Sequence, residues 1–499
     1  MPEIDFTTPP GVYKNGTERQ AAGRWFDANL VRWYEGETRP VGGWAQHSSS
    51  AVTGSARALV AWRDNLTNSW IGIGTESHLY VMNKAGTLYD VTPAGFTTGR
   101  ADATYGTGYG GGAYGAGTYG TPRPDTTNIL EATVNTFDTF GQNLLSVNAD
   151  DGKIYQWVAP TTGTPFVVLT NAPTATALVV TSERFIFALG TTDPRTVSWC
   201  DQQNNTVWTP TATNQAGSFP LQTFGRLLCG KRLTGLTGLW TDTDFWTASY
   251  IGGTLVYAFK KEGAGCGAVS RQAVAATDVQ AAWMGANGFW LYNGFVAPLA
   301  SDVQDYVFSS INRVQLSKIY AVLNSQFGEV WWFYPSGSSN EVDSYVIWNY
   351  RENHWSIGKL ARFSGADAGG AFVFPLMMGA DGIVYEHETG YSYSGDTPYA
   401  ETGPREFAPI ATTYAGSLPG VWQANAFIPD ERLQGDVTAT FKAKIYPNGS
   451  ETSSGPYTMS AQTDVRFTAR QVKMRVTGAR PDDWRFGHAR LIVNGNGGR

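Results

Sequence analysis

The stretch "GEVWWFYPSGSSNEVDSYVIWNY", residues 328–350, sets two apolar runs of strand length on either side of a turn. Both runs are rich in β-branched and aromatic side chains, and the segment between them is built of Pro, Ser, Gly and Asn, which break regular structure. It reads as a β-hairpin, an apolar strand, a turn and a second strand ending in aromatics. The same content recurs in "SWIGIGTESHLYVMNKAGTLYDVTP" (69–93), "TFGQNLLSVNADDGKIYQWVAP" (139–160), "SERFIFALGTTDPRTVSWCDQQNNTVWTP" (182–210), "WTDTDFWTASYIGGTLVYAF" (240–259), "VQAAWMGANGFWLYNGFVAPL" (279–299) and "PLMMGADGIVYEHETG" (375–390). Seven copies are visible, with starts about 35 to 70 residues apart. A hairpin repeat of about 40 to 50 residues predicts a β-propeller, because one four-stranded blade cannot bury its faces alone. The expected fold is all-β, a degenerate propeller of six or seven blades over residues 46–400.

Composition agrees with this reading. Of 499 residues, 13% are aromatic, 58 are glycine and only 16% are charged, a balance that favours short strands and tight turns over helices. The start of the chain, "MPEIDFTTPPGVY", has neither a basic nor an apolar leader region, and no stretch approaches the length of a membrane span, so a chain without its own export signal is expected. Cys200, Cys229 and Cys266 are odd in number and widely spaced, which predicts buried free thiols.

The ends differ from the middle. Residues 1–45 contain "GRWFDANLVRWYEGETRPVGGW", with a turn at Glu35 to Glu37. Residues 401–499 contain the alternating strands "DVTATFKAKIYP" and "RQVKMRVTG", which suggest a small β-sandwich. From Val421 onward there are 11 basic and 7 acidic residues, leaving 25 basic and 35 acidic in the first 420. A chain of net charge −6 with so acidic a body is a poor candidate for gripping nucleic acid. In "RQVKMRVTG", Val472, Met474 and Val476 share one strand face while Gln471, Lys473 and Arg475 share the other. With Arg466, Arg485 and Arg490 nearby in sequence, that second face reads either as solvated or as a docking face for an acidic partner or a neighbouring subunit. On the docking reading, reversing the charge of Lys473 and Arg475 weakens docking more than folding.

Between the first two repeats lies "ATYGTGYGGGAYGAGTYG", residues 103–120, within a Gly/Tyr-rich loop at about 97–127. It has too little aliphatic surface to offset its ordering entropy. It reads as a low-complexity linker or as an assembly loop in which Tyr105, Tyr109, Tyr114 and Tyr119 supply amphipathic contact area on a flexible backbone.

Catalytic and metal motifs are not legible. His47, His78, His354, His387 and His488 are scattered, without H-E-x-x-H spacing. "NADDGK" (148–153) lacks the bidentate glutamate of a calcium loop and reads as a hairpin turn, and Asp242 and Asp244 of "TDTD" read as turn acids. The expectation is a protein that is not an enzyme and needs no cofactor.

Together the opening "PPGVYKNGTERQAAGRWFDANLVRWYEGETRPVGGW", the degenerate repeats and the closing "TDVRFTARQVKMRVTGARPDDWRFGHARLIV" resemble tail hub, or nozzle, proteins of short-tailed bacteriophages. The specific motifs of the resemblance lie at the two ends. It implies a structural virion protein, assembled in the infected bacterium's cytoplasm, that forms a homo-oligomeric ring, usually a hexamer. It further implies binding to the head-to-tail adaptor below the portal, part of the DNA ejection conduit through which DNA passes without specific binding, anchorage for a tail fibre or tailspike, and contact with the host envelope. By the same resemblance the two chain ends pack together as a platform. A carbohydrate-binding or carbohydrate-cleaving propeller and a cellular scaffold propeller are the competing readings.

Overall fold

A computed structural model describes residues 3–105, 129–406, 420–446, 448–459 and 461–495. Its architecture begins with the quoted hairpin. Glu329–Tyr334 and Ser344–Asn349 pair antiparallel from Glu329↔Asn349 to Tyr334↔Ser344, and Tyr320–Asn324 and His354–Lys359 flank them to complete a four-stranded sheet. Every residue of the two central strands is buried, because both faces of the sheet are covered. Alternation then divides the side chains between two neighbours. Val330, Trp332, Tyr334, Val346 and Trp348 join one apolar cluster, and Trp331, Phe333, Tyr345 and Ile347 join another.

Among the described residues seven such sheets follow in sequence. Blades 1 to 6 span 58–90, 135–168, 177–220, 227–264, 274–299 and 320–359. Their first strands lie side by side in a ring with Arg362–Ala366, the first strand of blade 7, which closes back on Ala58–Arg63. The fold is therefore a seven-bladed propeller. Blade 7 takes three strands from 362–387, and its fourth comes from near the start of the chain. That strand, the last of five in the first 46 residues, pairs Trp44 with His387 and Gln46 with Tyr385.

The five are β1 (Glu3–Asp5), β2 (Trp25–Asn29), β3 (Val31–Tyr34), β4 (Glu37–Pro40) and β5 (Trp44–Gln46). β3 and β4 form a hairpin at the expected turn, where Glu35 and Gly36 both have positive φ (53° and 80°), the geometry of a two-residue turn matched to strand twist. β1 and β2 leave for a sandwich built with the other chain end. One sheet runs β1, Arg490–Gly495, Trp422–Ile428, Thr463–Ala469, and the other runs β2, Tyr399–Thr402, Gln471–Gly478, Val437–Lys444, Thr452–Thr458. Phe441 lies at its centre, with Phe427 and Phe467 rings 5.1 and 5.2 Å away. Apolar packing continues without a break through Val12, Trp25 and Trp33, and through Val303 and Val307 beside and within the short helix α1 (Gln304–Ser310), into blades 5 and 6. The sandwich is thus seated on the propeller's flank by a shared core.

Candidate functional site

The basic strand face is not an open one. Val472, Met474 and Val476 do point into the sandwich core, as alternation requires. On the opposite face Lys473 is only 6% exposed, because the one-turn helix Glu18–Ala21 and the neighbouring strands cover it. Its ammonium lies 2.6 Å from Glu18, 2.9 Å from Glu451 and 3.3 Å from Glu401. Burial by itself would lower the Lys473 pKa, but these carboxylates overcome it and hold the group charged well above the ordinary range. Burial likewise pushes Glu18 up, yet Lys473 and Lys444 bring it below its usual value. Arg475 is half-buried, its guanidinium 3.5 Å from the centre of the Tyr399 ring. The expectation of an outer surface at Lys473 is therefore corrected: its face ties the two chain ends together. Arg485 pairs with Glu37 and Asp483, and Arg490 pairs with Glu3, so both basic residues also bridge C-terminal to N-terminal segments. Arg466 is exposed. These five positions do not converge on one patch.

The Gly/Tyr-rich insertion leaves the ring between blades 1 and 2. Tyr109, Tyr114 and Tyr119 lie outside the described residues, while Tyr105 is exposed in a short ladder, Thr104–Tyr105 against Ile129–Leu130. The base of the insertion does not stay beside its parent blades. Glu131 reaches Arg226 just before blade 4 and Arg271 just before blade 5, the latter at 2.8 Å. Gln315, ahead of blade 6, exchanges 2.9 Å hydrogen bonds with the Ala103 backbone, Ser317 Oγ accepts from Ala132 N, and Lys318 pairs with Asp102. On the blade 1 side, Arg57 donates to the Ala101 carbonyl. A segment that starts between blades 1 and 2 and touches blades 4, 5 and 6 must cross the propeller axis. Burial pushes the Glu131 carboxyl up, but Arg271 and Arg226 outweigh it and hold it below the usual carboxylate range.

A third cluster joins β3 to the propeller. Arg32, 1% exposed, makes a bidentate pair with Glu329 of blade 6 at 2.9 Å on both oxygens, and also pairs with Glu388 after blade 7. The Phe327 ring lies 3.7 Å from the guanidinium carbon. Trp331 Nε1 donates to Glu329, and Gly42 N and Asn324 Nδ2 donate to Glu388. Burial raises both carboxyls. In Glu388 the two hydrogen-bonded arms of Arg32 reverse the direction, whereas Glu329 stays above its usual value. The sequence signal was an arginine inside the apolar run "LVRWY", but its partners are 297 and 356 residues away and nothing in the sequence selects them.

"NADDGK" forms a hairpin turn with Gly152 at φ 68°, Asp150 paired to Arg100 and Asp151 accepting from Tyr155. Asp242 accepts from Arg226 N, and Asp244 pairs with Lys261 at 2.8 Å. Cys200, Cys229 and Cys266 are buried and free. Among the described residues no group of three or more His, Cys, Asp or Glu is placed to hold a metal ion, and no helix is long and apolar enough to cross a membrane.

Fold and sites together define a seven-bladed β-propeller protein with an axial insertion and a sandwich made by its chain ends. No family model matches the chain, and no curated protein matches it. Among solved structures it is similar to virginiamycin B lyase from Staphylococcus aureus, at 7% identity over 69% of this chain and 97% of that one, with a TM-score of 0.41. It is also similar to the Neurospora crassa Pan2 WD40 domain (10% identity, 68% and 94% covered, TM-score 0.38) and to the AfRom2 CNH domain (9%, 70% and 98%, 0.36). At these scores the likenesses say nothing of what this chain does.

Proposed function

We propose that this chain is a structural subunit of a short-tailed bacteriophage tail, a hub or nozzle protein that assembles as a ring, hexameric by resemblance, against the head-to-tail adaptor. The observation that supports the reading is the sandwich. The two chain ends that carry the resemblance are co-folded, β1 on Arg490–Gly495 and β2 on Tyr399–Thr402, and share one core with blades 5 and 6. A fold alone would not license this function, since propellers host many. In this reading the sandwich is the platform toward the adaptor, and fibres or spikes take the propeller's outer surfaces. The DNA conduit is the lumen enclosed by the ring, since among the described residues the propeller's own axis forms a pocket of about 250 Å³. Head-to-tail contacts between copies close into a ring when the rotation permits.

The test is mass measurement of the purified chain with and without its tail adaptor, followed by electron microscopy of assembled tails. A closed ring of copies around the tail axis is expected. A chain that stays monomeric with the adaptor, or sits as one off-axis copy in the tail, would refute the reading.

A further inference from the structure

The axial pocket has a composition that the tail reading does not use. The first strands of all seven blades or the residues just before them line it, and its volume is about 250 Å³, room for a monosaccharide-sized molecule. Its wall carries Lys231, Arg232 and Arg271 against the single carboxylate of Asp138. The end at Arg271 is crossed by the insertion base, since the same guanidinium is bonded to Glu131 at 2.8 Å and to the Thr176 carbonyl at 3.3 Å. Gln272 at that level donates to the Asn135 carbonyl. The pocket is a cup with a built floor.

Toward the other end the charges are available. Arg232 pairs with Asp138 at 2.9 Å but remains half-exposed, and exposed pairs contribute little and exchange readily. Asp138 is held in place independently by accepting from Val180 N at 2.8 Å. Lys231 is exposed and has no carboxylate partner among the described residues. With Arg232 paired to Asp138 and Arg271 to Glu131, Lys231 leaves the recess net positive, and low-dielectric walls concentrate that field in a protein of net charge −6. Lys231 and Arg232, consecutive on the strand Leu227–Leu233, both line the cup and offer cationic donors to an oxyanion, and Thr136 and Gln272 on its wall offer polar groups to hydroxyls.

From this geometry we propose that the axial cup binds a small polyhydroxylated ligand bearing an oxyanion, a carboxylate or a phosphate, with Lys231 and Arg232 as its anion contacts and the Arg271 floor setting its depth. The inference rests on the propeller alone, so its failure leaves the tail reading untouched.

Isothermal titration of the full chain with glucuronate, glucose 6-phosphate and glucose, each to about 10 mM at low salt, tests it. Saturable binding of either anionic sugar, no binding of glucose, and weakening of about tenfold or more in the Lys231→Glu/Arg232→Glu variant are expected. Which anion binds separates a carboxylate from a phosphate source. The proposal is overturned if neither anion binds, if glucose binds as well as they do, or if a variant with native melting binds them unchanged. Should the double variant misfold, Lys231→Met breaks no ion pair, and unchanged binding by it overturns the proposal equally.

Discussion

Replacing Arg32 with methionine keeps most of the side-chain volume and removes the cation shared by Glu329 and Glu388. Both carboxyls are buried, and the donors left to them are Trp331 Nε1 for one and Gly42 N with Asn324 Nδ2 for the other. Removing one member of a buried ion pair costs about 3–5 kcal/mol. An independent figure agrees: the variant can escape a buried charge by protonating a carboxyl, and for a glutamate of ordinary pKa near 4.3 that costs about 3.7 kcal/mol at pH 7 and about 1 kcal/mol at pH 5. In the native protein the two shifts oppose each other. Glu388, held low, adds stability above its unfolded pKa that is lost as pH falls through the folded one. Glu329, held high, adds stability below its unfolded pKa that is lost as pH rises. Without Arg32 both carboxyls move up, so both favour the folded state at acid pH. Arg32→Met is therefore expected to lose about 4 kcal/mol at pH 7 and to recover about 2–3 kcal/mol of that, relative to wild type, at pH 5. Urea unfolding followed by tryptophan fluorescence at the two pH values measures this through the midpoint and slope. A loss under about 1 kcal/mol at pH 7, or an equal loss at both pH values, would refute the reasoning.

The remaining predictions follow from the other sites. Lys473→Glu sets a fourth carboxylate among Glu18, Glu401 and Glu451 and should cost at least about 3 kcal/mol, read as an early thermal transition; an unchanged melting curve would return Lys473 to an open face. Trp44→Ala removes a ring packed on His387 and Tyr393 in the strand that closes blade 7, and about 3–5 kcal/mol should be lost on chemical denaturation. Burial pushes the Cys200 thiol up to about 11 and Cys229 up to about 12, so a thiol-reactive disulfide reagent at pH 8 should leave the native protein unlabelled at these positions and titrate three thiols in guanidinium. Duplex DNA should bind no tighter than about 10⁻⁴ M at physiological salt, since acidic residues outnumber basic ones in the first 420 and much of the basic C-terminal segment is paired internally; micromolar, salt-steep binding in a gel shift would contradict this.

Hairpins such as 328–350 were legible because local chemistry specifies them: apolar runs of strand length, turn formers between them, and a repeat that neighbouring blades must cover. The number of blades was open between six and seven, because degenerate repeats record each sheet but not the closure of the ring. Closure depends on β5 meeting Val384–His387, a pairing between residues more than 330 positions apart. Alternation in "RQVKMRVTG" correctly separated the core face from the polar face, yet it could not reveal that Glu18, Glu401 and Glu451 cover the polar one. The sequence alone determined the β class, the repeat, the buried thiols and the distinct chain ends, all consequences of composition and short-range pattern. Only the tertiary structure decided which charges meet, at Arg32, at Lys473 and across the axis at Glu131. An ion pair depends on distance in space and on exclusion of water, and neither is recorded in the order of residues along the chain.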